Sequence, residues 1–577
     1  MTTVIVLVGF VLYAVLYLTY GRRLETNVVK ADNSIQTPAH RLSDGVDYVP
    51  ARSSVLFGHH FASVAGAAPI IGPVLAMAWG WAPALAWVWF GNIFIGAVHD
   101  YLSVMASVRY DGKSIQFVAS DLITQRTGRL FYYLVFFLLV LVVGAFAAVI
   151  AGMFIANPDI PAATIYLLVA AVILGALLYR TNLPFVLSSV IGVAMLVGVI
   201  WLGTVFPIDL PRDAWFALMF VYIIIASALP VNVLLQPRDY LNSFLLYFGL
   251  IIGGLAAIFA VGSFSAPAFT SFAPIVIEGQ STPFWPVIPL IIACGSLSGF
   301  HSLVGSGTTS KQLTSEKAGL PIGYGVMLVE GFLSTIVVIA VAGFGVQVIQ
   351  EAGEAISVAG WASEYTPAMG ATFPGAAMFS ETWAAMVSST WLGFIPVAFL
   401  RAIAGLWVSS FAMTTLDTTN RLGRYCVAEM AAPLKDRGAE GAYRVLTNRW
   451  FASIIPAAIG VYLGWSGGFT LLWPAFGSAN QLIAAIALLT GTAWVMKRLK
   501  SKATVAFVPA MLLWVTVTAA MVWYLAIIVP VVMETRFATG AVVGLITAAM
   551  LVINVVFIID FFKTRGLPAA DEQTTTG

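Results

Sequence analysis

Four of the five histidines of this chain, His59, His60, His99 and His301, fall in or beside long apolar stretches, and His99 is followed directly by Asp100. Imidazole changes charge near neutral pH, and an ionisable group inside a bilayer is costly enough that it faces protein or a wet cavity. These residues therefore predict a proton path. The segment from Cys294 to Leu313 adds Ser298, Thr308 and Thr309, whose hydroxyls are hard oxygen ligands suited to an alkali cation, and Lys311, which with His301 can carry a proton or attract an anion. Small and hydroxyl residues also let helices pack closely, so packing competes with ion binding for each single Ser or Thr. Histidine and carboxylate are good zinc ligands, but their dispersion over three apolar stretches has no metal-binding spacing, and no metal or cofactor is expected. Arg401 lies inside an apolar stretch and needs an anionic partner, either an organic carboxylate or Glu330, which is also within a span.

Two further stretches carry chemistry through their backbone. One runs from Gly58 to Pro73 and contains Gly66, Ala67, Ala68, Pro69 and Gly72; the other runs from Ser227 to Asn232 and contains Pro230. Proline removes a donor and clashes with the preceding turn, and glycine eases unwinding, so both predict broken helix at membrane depth. Loose backbone is tolerated there only where it is buried in protein or lines a cavity, as in the midplane sites of secondary transporters. Gly66, Ala67, Ala68, Pro69, Gly72, Ser227, Pro230, Asn232 and Ser298 are the candidate substrate-binding residues.

The elements that must position these groups are membrane helices. With 577 residues, 60% hydrophobic and 9% charged, and a mean hydropathy of +0.94, the chain is too apolar for a soluble fold. Apolar windows of about twenty residues place about fifteen spans between residues 3 and 562 in an all-α polytopic protein. Of the 28 Lys and Arg, 25 lie on alternate loops, which puts that side in the cytoplasm, the N-terminus outside and the C-terminus inside. In this topology the two broken stretches are five spans apart and run in opposite directions, the mark of an inverted repeat, spans two to six against seven to eleven. No domain boundary appears in 1–577: residues 1–54 form an extra N-terminal helix and cytoplasmic loop, 55–415 the inverted-repeat core, and 416–577 a cytoplasmic connection with the C-terminal helices. The loop 348–390 carries Glu351, Glu354, Glu364 and Glu381 without Lys or Arg, as an external loop should, and has room for a short helix or a lid.

Enzyme signatures fail. Gly295-Ser296-Leu297-Ser298-Gly299 has leucine where a nucleophile elbow needs serine, and no H-E-x-x-H occurs. Scattered, loop-borne cations give no footprint for nucleic acid. The motifs Gly58-His59-His60-Phe61-Ala62-Ser63 with Gly66-Ala67-Ala68-Pro69, Val98-His99-Asp100, Leu229-Pro230, Leu235-Gln236-Pro237-Arg238-Asp239-Tyr240, the segment 294–313, and Leu416-Asp417-Thr418-Thr419-Asn420-Arg421 together resemble the carbon starvation protein A family over about residues 20–500. The resemblance implies a bacterial inner-membrane importer with a leucine-transporter-like core, related to the amino acid, polyamine and organocation superfamily. It also implies uptake of pyruvate, driven by protons, or of short peptides. The expectation is proton-coupled import of a small carboxylate. A short-peptide permease is the alternative within transport, and a nutrient sensor that binds without moving its ligand is the alternative of another class.

Overall fold

The computed structural model describes residues 2–44, 47–229, 234–260 and 262–566. Its helices are α1 (Thr2–Val29), α2 (Ser53–Val64), α3 (Ala68–Trp79), α4 (Trp81–Arg109), α5 (Ile115–Leu122), α6 (Gln125–Ala156), α7 (Asp159–Arg180), α8 (Phe185–Val205), α9 (Arg212–Ala228) and α10 (Leu235–Phe259). They continue as α11 (Phe284–Ile291), α12 (Gly299–Gly307), α13 (Glu316–Glu351), α14 (Trp361–Thr372), α15 (Ala376–Ser388), α16 (Val397–Asp436), α17 (Arg449–Gly467), α18 (Phe469–Lys497), α19 (Thr504–Thr535) and α20 (Phe537–Thr564). A small antiparallel hairpin, Ile275–Ile277 with Gln280–Ser281, turns at Glu278 and Gly279 with φ 48° and 71° in the connection after α10.

Among the described residues 12 helices are long and apolar enough to cross a membrane, and the bent pair of α2 and α3 makes a thirteenth span. The other two of the about fifteen expected spans are α9, at 17 residues, and the interrupted pair of α11 and α12. Burial is greatest in α18, where 94% of the spanning window is inside the protein, and in α6, where 83% is. These two form the buried centre of the protein, and α11 and α12 pack against α18.

The core is a pair of units running in opposite senses. The backbone of Ala51, just before α2, donates to Gln312 just after α12 at 3.0 Å, while Trp81, just after α3, donates to Pro267 in the connection that leads to α11. So α2 and α3 leave the face at which α11 and α12 arrive. The helices that follow reverse likewise: Arg109 at the end of α4 pairs with Glu316 at the start of α13. Each unit then has short helices, α5 in one and α14 with α15 in the other, before a long one, α6 or α16. The 348–390 loop thus holds two short helices, not a single one.

This order corrects the pairing expected from sequence. The segment facing the first break is 292–298, between α11 and α12, and Ser227 of the other expected stretch is not there. Helix α9 ends at Ala228 and α10 begins at Leu235, so Ser227 sits at a helix end before a connection; Pro230 and Asn232 lie outside the described residues.

Candidate functional site

The first break is made by Ala65, Gly66 and Ala67. Ala65 leaves the helical region with ψ 61°, and α3 departs from α2 at a bend of 50°. Pro73 inside α3 has no N–H, which leaves the carbonyl of Pro69, four residues earlier, without its helical donor. The Ser334 hydroxyl of α13 donates to it at 2.7 Å. Carbonyls further along are taken too, that of Val74 by the Tyr365 hydroxyl at 2.8 Å and that of Met77 by the Trp361 indole at 2.8 Å.

The second break, 292–298, is held partly by its own neighbours, the Leu297 N–H donating to Ala293 at 3.0 Å and the Ser296 hydroxyl to Ile292 at 2.6 Å, and partly, with the end of α11, from other helices. Asn92 of α4 donates to Gly295 at 3.2 Å, Trp473 of α18 to Ile291 at 3.1 Å, and the Gln481 amide to Pro289, Ala293 and Leu297 at 3.0 to 3.4 Å. Asn480 accepts from the Phe300 backbone at 3.0 Å, capping α12 in place of a residue of its own chain end, and exchanges hydrogen bonds with Ser298. An unsatisfied backbone group in lipid costs several kcal/mol, so these polar side chains help to hold the break open.

The breaks touch. A Cβ at Gly72 would lie 2.6 Å from the Ile291 carbonyl, and one at Gly295 would collide with the Ser334 hydroxyl. Between them is a cavity of about 20 Å³, lined by Gly66 and Ala68 of the first break, Cys294 and Phe300 of the second, Phe146 of α6, Phe476 of α18 and Thr415 of α16. The α3 and α12 N-termini, near Ala68 and Gly299, meet at this cavity from opposite sides, so the positive ends of two half-helices point at one place. Of the expected substrate residues, Gly66 and Ala68 line the cavity, while Ala67, Pro69, Gly72 and Ser298 are buried around it. Ser227 does not join them; it accepts from Asn420 at 2.9 Å, at the junction of α9 and α16.

Below the second break, fully buried titratable groups converge. Nδ1 of His99 is 2.7 Å from one oxygen of Asp100, and Nδ1 of His301 is 2.8 Å from the other. Nε2 of His301 lies 3.4 Å from Glu330. None of the four is more than 1% exposed. Cys294 joins this group, and its thiol, an imidazole nitrogen of His301 and a Glu330 oxygen lie within 4.8 Å of one another, donors that could share a metal ion. His60 stands beside it, 2.8 Å from the Thr309 hydroxyl. The remaining expected coupling residues are elsewhere: Thr308 bonds back to Val304 at 3.0 Å, Lys311 lies over the Tyr48 ring at 5.4 Å, and the charged group nearest in influence to His59 is Asp239.

Arg401 is the fifth residue of α16, and its ion pair is with Glu381 of α15 rather than with Glu330. A structural carboxylate pair is thus the correct kind of contact, with a different member. Burial pushes the Glu381 carboxyl above its ordinary range, and the Arg401 guanidinium pulls against that shift.

A second charged centre was not among the expected site residues. Arg238, 1% exposed, donates to Asp417 at 2.6 Å, to the Tyr222 hydroxyl at 2.5 Å, to Thr414 at 3.0 Å and to Asp239 at 3.4 Å. Thr414 donates to Asp239 at 2.8 Å, and Tyr222 to Asp417 at 2.8 Å. Arg238 reads in sequence as one more loop cation. The signal was available in the two motifs that carry it and Asp417.

The model of the family described as carbon starvation protein CstA matches residues 1–520. The chain is 30% identical over 545 residues to the peptide transporter CstA of Bacillus subtilis (strain 168), covering 90% of each. It is 31% identical over 572 residues to the peptide transporter CstA of Escherichia coli (strain K12), covering 89% of this chain and 80% of that one. It is 29% identical over 592 residues to the pyruvate/proton symporter BtsT of the same organism, covering 90% and 80%. Among solved structures, a manganese transporter of Eremococcus coleocola aligns over 91% of this chain and 99% of that one at 13% identity and a TM-score of 0.31. The chain belongs to the carbon starvation protein CstA family, and it is a membrane transporter rather than an enzyme.

Proposed function

Starting from membership of the CstA family, we propose that this protein imports a small carboxylate, pyruvate first, across the bacterial inner membrane, coupled to protons, with its N-terminus outside and its C-terminus in the cytoplasm. The observation that carries this reading is the convergence of two half-helix N-termini, at Ala68 and Gly299, on one cavity. Backbone N–H groups and positive dipole ends stabilise a carboxylate, and Phe146, Phe300 and Phe476 offer apolar surface to a short carbon chain. At about 20 Å³ the cavity has room for roughly one water, so the described conformation is closed and substrate enters when the units separate.

The coupling proton belongs, in this reading, to the centre around Arg238. There two carboxylates, the buried Asp417 and the partly exposed Asp239, share one guanidinium, and one negative charge is left over. A single proton makes the centre neutral. Thr414, which bonds both Asp239 and Arg238, is next to Thr415 on the cavity wall, and His59 lies on α2, which leads into the first break. A driving ion must bind the two states differently, and a centre tying α9 and α10 to α16 does so if those helices part during transport.

The peptide reading is favoured by the names of the relatives at 30% and 31% identity. Against it, the described lining residues of the cavity include no carboxylate to receive a peptide ammonium group. Uptake of labelled pyruvate and of labelled dipeptide by reconstituted vesicles, with proton and sodium gradients imposed separately, decides the matter: pyruvate accumulation driven by the proton gradient alone is expected, and dipeptide accumulation with no pyruvate uptake would replace the reading.

A further inference from the structure

We propose that Cys294, His301 and Glu330 form an intramembrane binding site for a divalent cation of the Zn²⁺ type. The site stands on its own geometry and does not depend on which substrate is carried.

Three donors suited to such an ion arrive from separate parts of the chain: a thiol in the second break, an imidazole in the first turn of α12 and a carboxylate on α13, with donor atoms within 4.8 Å of one another and all three residues buried. A thiol, an imidazole and a carboxylate are the ligand types zinc takes, and a thiolate selects against Mg²⁺ and Ca²⁺. The free atoms point the same way. Nε2 of His301 and both oxygens of Glu330 are buried without a hydrogen-bond partner, although Nε2 and Oε2 are only 3.4 Å apart. Buried polar atoms are ordinarily satisfied, and three orphans facing one thiol call for a common partner.

The surroundings match a metal site as well. Nδ1 of His301 is engaged by Asp100 at 2.8 Å, the carboxylate contact that fixes the ring of a metal-bound histidine and leaves Nε2 to the ion. Asp100 is itself held by His99. On the sulfur side the Asn480 amide donates to Cys294 at 3.7 Å, a contact that favours thiolate. Charge gives a separate argument. Asp100 and Glu330 are two carboxylates no more than 1% exposed, and among the described residues their ion pairs are with histidines alone, none with Lys or Arg. Burying two anions without cations is expensive; once Cys294 binds as thiolate the cluster carries three negative charges, of which one divalent ion balances two. Bound there, the ion joins the second break to α13 and, through Asp100, to α4.

The test uses the full chain, purified in detergent with any affinity tag removed, stripped with chelator and titrated with Co²⁺. One Co²⁺ per chain with a thiolate-to-metal charge-transfer band is expected. The chain has two cysteines, so Cys294→Ser should abolish the band and Cys426→Ser should keep it. Asp100→Asn, which removes the outer carboxylate, should weaken binding about 10- to 100-fold. Zn²⁺ should raise the thermal midpoint of the stripped wild type where Mg²⁺ does not, a readout that needs no variant to fold. A wild type that shows no charge-transfer band and no Zn²⁺-dependent shift, or one whose band survives Cys294→Ser, overturns the proposal; the first result would mean that protons alone neutralise the cluster.

Discussion

The Ser334 hydroxyl lies 2.7 Å from the carbonyl of Pro69, the one backbone acceptor that Pro73 strips of its helical donor. A polar side chain on α13 thus completes a helix with which it shares no sequence neighbourhood, and it does so where the two breaks meet.

Ser334→Ala therefore leaves a buried carbonyl unpaired and should destabilise the protein by about 1–3 kcal/mol. The expected result is a lower thermal midpoint in detergent. Ser334→Thr, which keeps the hydroxyl, should recover most of the loss; if Thr is as damaging as Ala, the hydrogen bond is not what Ser334 contributes.

Asp417→Asn keeps the size and much of the hydrogen bonding around Arg238 while removing the charge that the proton would neutralise. Proton-driven accumulation should fall about tenfold or more, with counterflow exchange close to wild type, because exchange needs no net proton movement. Equal loss of both activities would mark Asp417 as structural, and wild-type accumulation would move the coupling site elsewhere.

Gly66 is where the backbone must come close to a neighbour, since a Cβ there would sit 2.5 Å from the Thr415 hydroxyl oxygen across the cavity. Gly66→Ala should cut uptake by roughly tenfold through this overlap, the rate cost of about 1.4 kcal/mol. The double variant with Thr415→Ala removes the atom that is hit and should restore uptake. Failure of that rescue, with the double variant folded, would show that the glycine is needed for its backbone and not for space.

The spans were legible because lipid demands long apolar helices and leaves the cations at their ends, and the first break because Gly66 and Pro69 interrupt such a helix. The second break was legible only as a polar segment. It contains no proline between Ile292 and Ser298, and what keeps it unwound is Asn92, Asn480 and Gln481, which are 180 or more residues away in the chain. Pro230, inside a hydrophobic run, carries the same sequence signal as Pro69 but lies outside the described residues. Arg238 was hidden for a related reason: a cation between two spans reads as a loop anchor until Asp417 and Tyr222 are seen to bury it.

Arg401 offers the sharpest contrast between the two levels of description. Buried in its span it would be a natural anchor for a substrate carboxylate; at the fifth position of α16, with its side chain 41% exposed and paired to Glu381, it is a tie between α15 and α16 on the face that bears the short helices. An ion pair so open to solvent contributes about 0–1 kcal/mol, though Glu381, only 8% exposed, loses its single charged partner when the arginine is removed. Arg401→Gln should accordingly lower the thermal midpoint by a few degrees at most and leave the KM for the carboxylate unchanged, because no substrate charge rests on it. A rise in KM of about tenfold without loss of folded protein would put Arg401 back in the binding site and would require that α16 move its outer end toward the cavity during transport.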